Sequence, residues 1–208
     1  MMTTRIKICG LTRPGDVDAA VAAGADAVGF VFYPQSARYV SPGVAAALAR
    51  RLPPFVSAVG LFVNASVAEI EATLTEVPLD LLQFHGDETP EECARWRRPY
   101  LKAARMRPDV DLLQYAASFA TARALLLDAF VETRGGGGET FDWSLIPSGL
   151  PLPFVLAGGL NPENVGEAVR RVRPAAVDVS SGVETAKGVK DPRRMAAFVA
   201  AVCAANRG

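Results

Sequence analysis

The chain has one histidine, three cysteines and no excess of charge of either sign, and each shortage removes a class of function. A single histidine, His85, cannot build a multi-histidine metal centre, and no other residues fall at ligand spacing, so no metal is expected. Cys9, Cys93 and Cys203 are odd in number, far apart and without a CxxC pair. That excludes a disulfide framework or structural zinc and points to a reducing compartment, the cytoplasm. Twenty-two basic side chains balance 22 acidic ones, so no basic face offers itself to nucleic acid or an anionic membrane. No apolar run approaches the roughly 18–20 residues of a membrane span, and the first residues lack a signal-peptide core. Half of the 208 residues are hydrophobic, enough for one large core, and a single domain over residues 1–208 is expected.

What is present is a regular alternation. Short runs of β-formers at Arg5–Cys9, Ala27–Phe32, Phe55–Phe62, Leu79–Phe84, Tyr100–Ala104, Ala124–Asp128, Phe154–Ala157 and Ala175–Val179 are each followed by turn residues and then an alanine-rich amphipathic stretch. The helical stretches begin near Pro14, Pro42, Ser66, Thr89, Pro108, Asp142, Asn161 and Asp191, many with a proline in the first turn and a Ser, Thr, Asn or Asp cap. Strand–helix repetition implies parallel strands with right-handed crossovers. Eight units in this length predict an α/β fold of the compact (β/α)8 TIM-barrel kind. An open doubly wound sheet is the rival, but "CGLTRPG" after the first strand does not fit its GxGxxG fingerprint.

The polar and glycine-rich material sits in the strand-to-helix loops, the catalytic face of such a barrel. Alternation along "RIKIC" turns Ile6 and Ile8 outward and Lys7 and Cys9 inward, with Cys9 at the rim. The same count on "ALLLD" turns Leu125 and Leu127 outward and Asp128 inward. A thiol and a carboxyl facing one cavity form a base and acid pair. Each also has a plainer reading: a lone thiol is often inert packing, and a strand-end Asp is often a loop cap. Cys93 and Cys203 lie in helical patterns and read as structural, while His85 fits a substrate contact and a turn cap equally.

Anion-binding features follow the last two strands. Gly158 and Gly159 in "LAGGLNPENV" let backbone N–H groups approach a ligand, and Asn161-Pro162 then resembles a helix start. Ser180 and Ser181 in "VDVSSGVE" offer hydroxyls at another expected helix start. Loops after strands seven and eight are the recurrent phosphate cradle of this fold, so a phosphorylated small molecule is expected. Arg38 in "PQSARYVS" suits a second anion such as a carboxylate, or is a solvated surface arginine. The run Gly135–Gly138 reads as a segment closing over a ligand or as a plain linker.

Taken in order, "KICGLTRPGDVDAAVAAGADAVGFVF", "SARYVSP", "LFVN", "LQFHGDE", "LLLDA", "FDW", "LAGGLNPENV" and "DVSSGVE" resemble the phosphoribosylanthranilate isomerase family from Arg5 to the last helix. The resemblance implies a (β/α)8 barrel in tryptophan biosynthesis, acting without cofactor or metal on N-(5′-phosphoribosyl)anthranilate. In an Amadori rearrangement, Asp128 matches the general acid and Cys9 the general base. Arg38 matches the residue holding the anthranilate carboxylate. Gly158, Gly159, Ser180 and Ser181 fall where phosphate would sit, and His85 and Asp178 match further substrate contacts. Ala37, Gly137 and Ala186-Lys187 depart from the family's usual residues without removing a reacting group.

An ordinary thiol titrates near 8.5 and an ordinary Asp near 3.9, so at neutral pH both start in the wrong state. Bringing the thiol to about 7 asks for roughly 2 kcal/mol, a task for which Lys7 is placed. A bell-shaped rate profile belonging to the coupled pair is expected. Two rivals remain: a sister or dual-substrate isomerase acting on an aminoimidazole ribotide, and a phosphosugar-binding barrel without catalysis. Monomer and homodimer are equally compatible with the sequence.

Overall fold

The computed structural model describes residues 3–129 and 140–208. Eight short strands lie in chain order: β1 (Arg5–Cys9), β2 (Ala27–Val31), β3 (Ser57–Phe62), β4 (Leu81–Phe84), β5 (Tyr100–Met106), β6 (Ala124–Ala129), β7 (Phe154–Leu156) and β8 (Ala176–Val179). Neighbours pair in parallel and β8 returns to β1, so the sheet closes into the expected (β/α)8 barrel. Parallel neighbours need crossovers. They carry α1 (Pro14–Ala23), α2 (Pro42–Ala49), α3 (Val67–Glu76), α4 (Pro90–Ala94), α5 (Leu112–Ser118) and α6 (Val165–Val172), and α7 (Pro192–Ala205) follows β8.

Local chemistry sets most boundaries. Ser66 with Glu69 and Thr89 with Glu92 form capping boxes at α3 and α4, each satisfying two otherwise orphaned N–H groups. Asp191 caps α7 ahead of Pro192, and Gly24 ends α1 in the left-handed region at φ 99°. Strand alternation then divides the core. Ile6, Ile8, Leu125 and Leu127 face outward into a layer shared with Val17 and Phe198 of the helices. Leu101, Ala103, Ala124, Leu126, Val155 and Ala157 fill the barrel interior. Among the described residues no helix is long and apolar enough to cross a membrane.

Several expected boundaries differ. The helix expected near Asp142 is only a 3-10 turn, Trp143–Leu145, capped by the Asp142 carboxylate. Its continuation holds Pro147, Pro151 and Pro153, and Gly149 at φ 84°, none of which extends a helix. The stretch expected from Pro108 becomes helical only at Leu112, where Asp111 accepts from the N–H groups of Leu113 and Gln114. Asn161 does not cap a helix directly: its side chain accepts from Glu163 and Asn164 N–H in a turn, and α6 starts at Val165. β3 starts at Ser57 because Phe55, after two prolines, sits at φ 73°, outside the β region. Ser181 likewise opens no α-helix. The 3-10 turn Ser181–Val183 leads into a ribbon of β9 (Glu184–Ala186) and β10 (Val189–Lys190) before α7. The glycine run Gly135–Gly138 lies outside the described residues.

Candidate active site

The register places Lys7 of β1 beside Asp178 of β8, and equal parity sends both side chains into the barrel. Lys7 Nζ donates to Asp178 Oδ1 at 3.0 Å, both groups being almost wholly buried. Two residues further along β1, Cys9 is 4% exposed. The residue beside it on β2 is Gly29, where an added Cβ would come 2.7 Å from Cys9 Sγ and 3.1 Å from Lys7 Nζ. Only glycine therefore leaves room for the thiol and ammonium together.

The electrostatics of this trio differ from the sequence expectation. Burial pushes the Cys9 thiol above its ordinary value, and Lys7 pulls it down without overcoming that effect. Burial likewise works against the Lys7 charge, but Asp178 and then Cys9 outweigh it, so Lys7 holds its proton more firmly. Asp178 is raised by burial, with Lys7 opposing. The thiol is thus a buried, protonated group beside a cation, not one already brought near neutrality. Burial also holds Cys93 up at about 12, the mark of an inert packing thiol, whereas Cys203 is exposed.

Asp128, at the end of β6, faces the rim as expected. His85 lies just beyond β4 and meets it, with Nε2 3.1 Å from Asp128 Oδ2. Its other ring nitrogen, Nδ1, is 3.0 Å from the amide nitrogen of Gln83, a fully buried residue on the same inward row of β4. On the far side, a Cβ on Gly158 would come 2.9 Å from Asp128 Oδ1 and would collide with the Ala129 backbone nitrogen. Gly158, at φ 76°, is therefore needed both for its backbone angle and for the close approach of the β7 loop.

The loop carrying His85 is tied down from beneath. Glu88 accepts from Asn64 N–H at 2.8 Å, Gly86 N–H at 2.9 Å and Lys102 Nζ at 2.7 Å. Lys102 also donates to Gly86 O at 2.8 Å. A buried, multiply bonded ion pair of this kind fixes geometry more than it adds net stability.

Arg38 is not a solvated surface residue. Its Nε and one Nη donate to Glu184 Oε1 and Oε2, both at 2.8 Å, in a bidentate fork. Burial alone would raise Glu184, but hydrogen bonds from Arg38 and Lys190 outweigh it and hold the carboxyl low. The fork leaves the remaining Nη donors of Arg38 unspent by Glu184. Lys190 Nζ completes the cluster, donating to Glu184 Oε1 at 2.7 Å and to Ser180 O at 3.0 Å. Ser180 donates its hydroxyl to Cys9 O at 3.0 Å, so this side chain secures the Cys9 backbone. Gly10, at φ 77°, leaves space for the Arg38 stem.

The β7 and β8 loops touch at Gly182, where a Cβ would collide with Leu160 O. Gly158 and Gly159 both adopt left-handed angles, and Asn164 clasps the turn by donating to Gly159 O at 3.0 Å. Ser181 stands at the start of the adjoining 3-10 turn.

The structure brings Cys9 together with Lys7 and Asp178, Asp128 with His85, and Arg38 with Glu184, while Gly158, Gly159, Ser180 and Ser181 lie in the β7 and β8 loops. Gln83, Glu184, Lys190, Glu88 and Lys102 were missed. A Gln within the apolar run "LLQF" was a readable signal for the first; the others declare themselves only through partners that the fold brings to them.

A family model described as N-(5′-phosphoribosyl)anthranilate (PRA) isomerase matches residues 6–201. The N-(5′-phosphoribosyl)anthranilate isomerase of Dechloromonas aromatica (strain RCB) is 64% identical over 201 residues, 97% of each chain. The crystal structure of phosphoribosyl anthranilate isomerase from Thermotoga maritima matches with a TM-score of 0.88 at 44% identity, over 97% of this chain and 100% of that one. Another solved structure, of phosphoribosyl anthranilate isomerase in complex with reduced 1-(o-carboxyphenylamino)-1-deoxyribulose 5-phosphate, matches at 0.85 and 42%, over 97% and 100%. A closed barrel of the same shape, a family model spanning nearly the whole chain and a relative at this identity together establish that the chain belongs to the phosphoribosylanthranilate isomerase family of tryptophan biosynthesis.

Proposed function

We propose that the chain, as one catalytic domain over residues 1–208, converts N-(5′-phosphoribosyl)anthranilate to 1-(2-carboxyphenylamino)-1-deoxyribulose 5-phosphate. The observation that carries this reading is the placement of Cys9 beside Lys7 and of Asp128 beside His85 on one rim. Asp128 protonates the ribose ring oxygen as the C1′–O bond breaks, and the anthranilate nitrogen supplies the pair that makes the Schiff base. Cys9, as thiolate, takes the C2′ proton, and the resulting enolamine tautomerises to the ketone. Lys7 balances the thiolate charge, and Asp178 holds Lys7 in place while reaching toward substrate. Arg38, aimed by Glu184, takes the anthranilate carboxylate. The Gly158-Gly159 turn and the Ser180-Ser181 segment cradle the phosphate, Ser180 by securing the loop and Ser181 at the edge of the turn. The chemistry needs neither metal nor cofactor. Three free cysteines support a cytoplasmic location.

The test is substrate choice. Purified protein is offered phosphoribosylanthranilate and, separately, an aminoimidazole ribotide, with product identified by mass and absorbance. Turnover of the first alone is expected. Turnover of the second alone would make this a sister isomerase, and turnover of neither a binder.

Two smaller effects follow from the same geometry. Glu184→Gln loses the ionic fork that aims Arg38, so KM is expected to rise about tenfold while kcat changes by less than about threefold. Steady-state kinetics decide it, and an unchanged KM would detach Arg38 from binding. For the thiol, the absorbance difference between wild type and Cys9→Ala should show Cys9 ionising above the ordinary thiol range. In Lys7→Met it should ionise higher still, because the cation that favoured the thiolate is gone. A lower value in Lys7→Met would contradict the pairing.

A further inference from the structure

An amide nitrogen can only donate. Gln83 Nε2, 3.0 Å from His85 Nδ1, therefore makes Nδ1 an acceptor, and the neutral ring carries its proton on Nε2. Nε2 in turn faces Asp128 Oδ2 at 3.1 Å, so Oδ2 accepts; a carbonyl oxygen is a better acceptor than a carboxyl hydroxyl, which favours Oδ2 as the unprotonated oxygen. The proton is left for Oδ1, the oxygen beside the Gly158 turn. Gln83 is fully buried, and its Oε1 has no hydrogen-bond partner among the described residues. A buried acceptor left without a partner costs stability. The amide is thus held with its carbonyl unsatisfied and its N–H aimed at the ring.

We propose that Gln83 is a positioning residue for the isomerase reaction: through the Nε2–H tautomer of His85 it directs the transferable proton of Asp128 to Oδ1. This rests on the reading of Asp128 as general acid. In the ring-opening step the Oδ1–H bond breaks, its proton passes to the ribose ring oxygen, and the C1′–O pair stays on that oxygen. The negative charge left on Asp128 is met by the hydrogen bond that His85 already gives to Oδ2. With the opposite tautomer a lone pair would face Oδ2, draw the acid's proton to that oxygen and leave the new carboxylate unsupported.

Because His85 is the only histidine, protein grown with 15N-labelled histidine gives one pair of ring nitrogen resonances. With the ring neutral, the wild type is expected to show protonated Nε2 and unprotonated Nδ1. In Gln83→Glu the carboxylate accepts from Nδ1, so the proton is expected to move there, with kcat down at least about tenfold and KM within about threefold. Gln83→Met removes the donor without inverting the ring, and is expected to lose less kcat than Gln83→Glu. A wild-type proton on Nδ1 would overturn the proposal, as would equal losses of kcat in the two variants with no change of tautomer. An inverted tautomer with unaltered kcat would overturn it too. The wild-type spectrum needs neither variant nor substrate, so a failure of either variant to fold or an error in the assigned reaction leaves that decision intact.

Discussion

Asp128→Asn is expected to lower kcat by about 10²–10⁴ while leaving the barrel folded and substrate bound. The side chain keeps its shape, and its Oδ2 position can still accept from His85 Nε2, so the local geometry is conserved. What is lost is the acidic proton: an amide N–H is too weak an acid to protonate a ring oxygen as the C1′–O bond breaks. KM should change far less than kcat, since the acid acts on charge that develops only in the transition state. Binding of a reduced product analogue, measured calorimetrically, separates the two effects. A variant that turns over at the wild-type rate would remove Asp128 from the chemistry.

Cys9→Ala is expected to cost at least about a hundredfold in kcat, for a different reason. The thiol sits beside the Lys7 ammonium and across from Gly29, which lacks the side chain that would crowd it. Burial holds the free thiol above its ordinary value, so the thiolate that serves as base is a minor state. The pH dependence belongs to the coupled pair, and the bell shape arises because either proton in the wrong place stops the reaction. Alanine removes the base but keeps the Lys7–Asp178 bond, so thermal unfolding of the variant should remain cooperative. Cys203→Ala, at an exposed site on the last helix, serves as the control that should keep full activity.

The parts of this molecule that depend on local periodicity were legible in the sequence. Alternation along "RIKIC" and "ALLLD" gave the inward faces of Lys7, Cys9 and Asp128, because parity is a property of the strand itself. Parity carries direction but not depth. It could not show that Cys9 is sealed well enough for desolvation to outweigh a neighbouring lysine. The helix expected at Asp142 had a genuine capping signal, and the prolines and glycine beyond it won. Arg38 and Glu184 are 146 positions apart, so their fork is invisible until the barrel closes. Lys102 and Glu88 sit on different strand–helix units, and only the folded chain turns them into a buried anchor for the His85 loop.

The central claim is that Cys9 drives the isomerisation of phosphoribosylanthranilate, and it meets its most direct test in one fluorescence trace. Freshly prepared phosphoribosylanthranilate is mixed with wild type and with Cys9→Ala at equal concentration, and the decay of anthranilate fluorescence is followed. The account predicts rapid decay with the wild type and a rate at least about a hundredfold lower with the variant. A silent wild type, or a variant that matches it, would contradict the account.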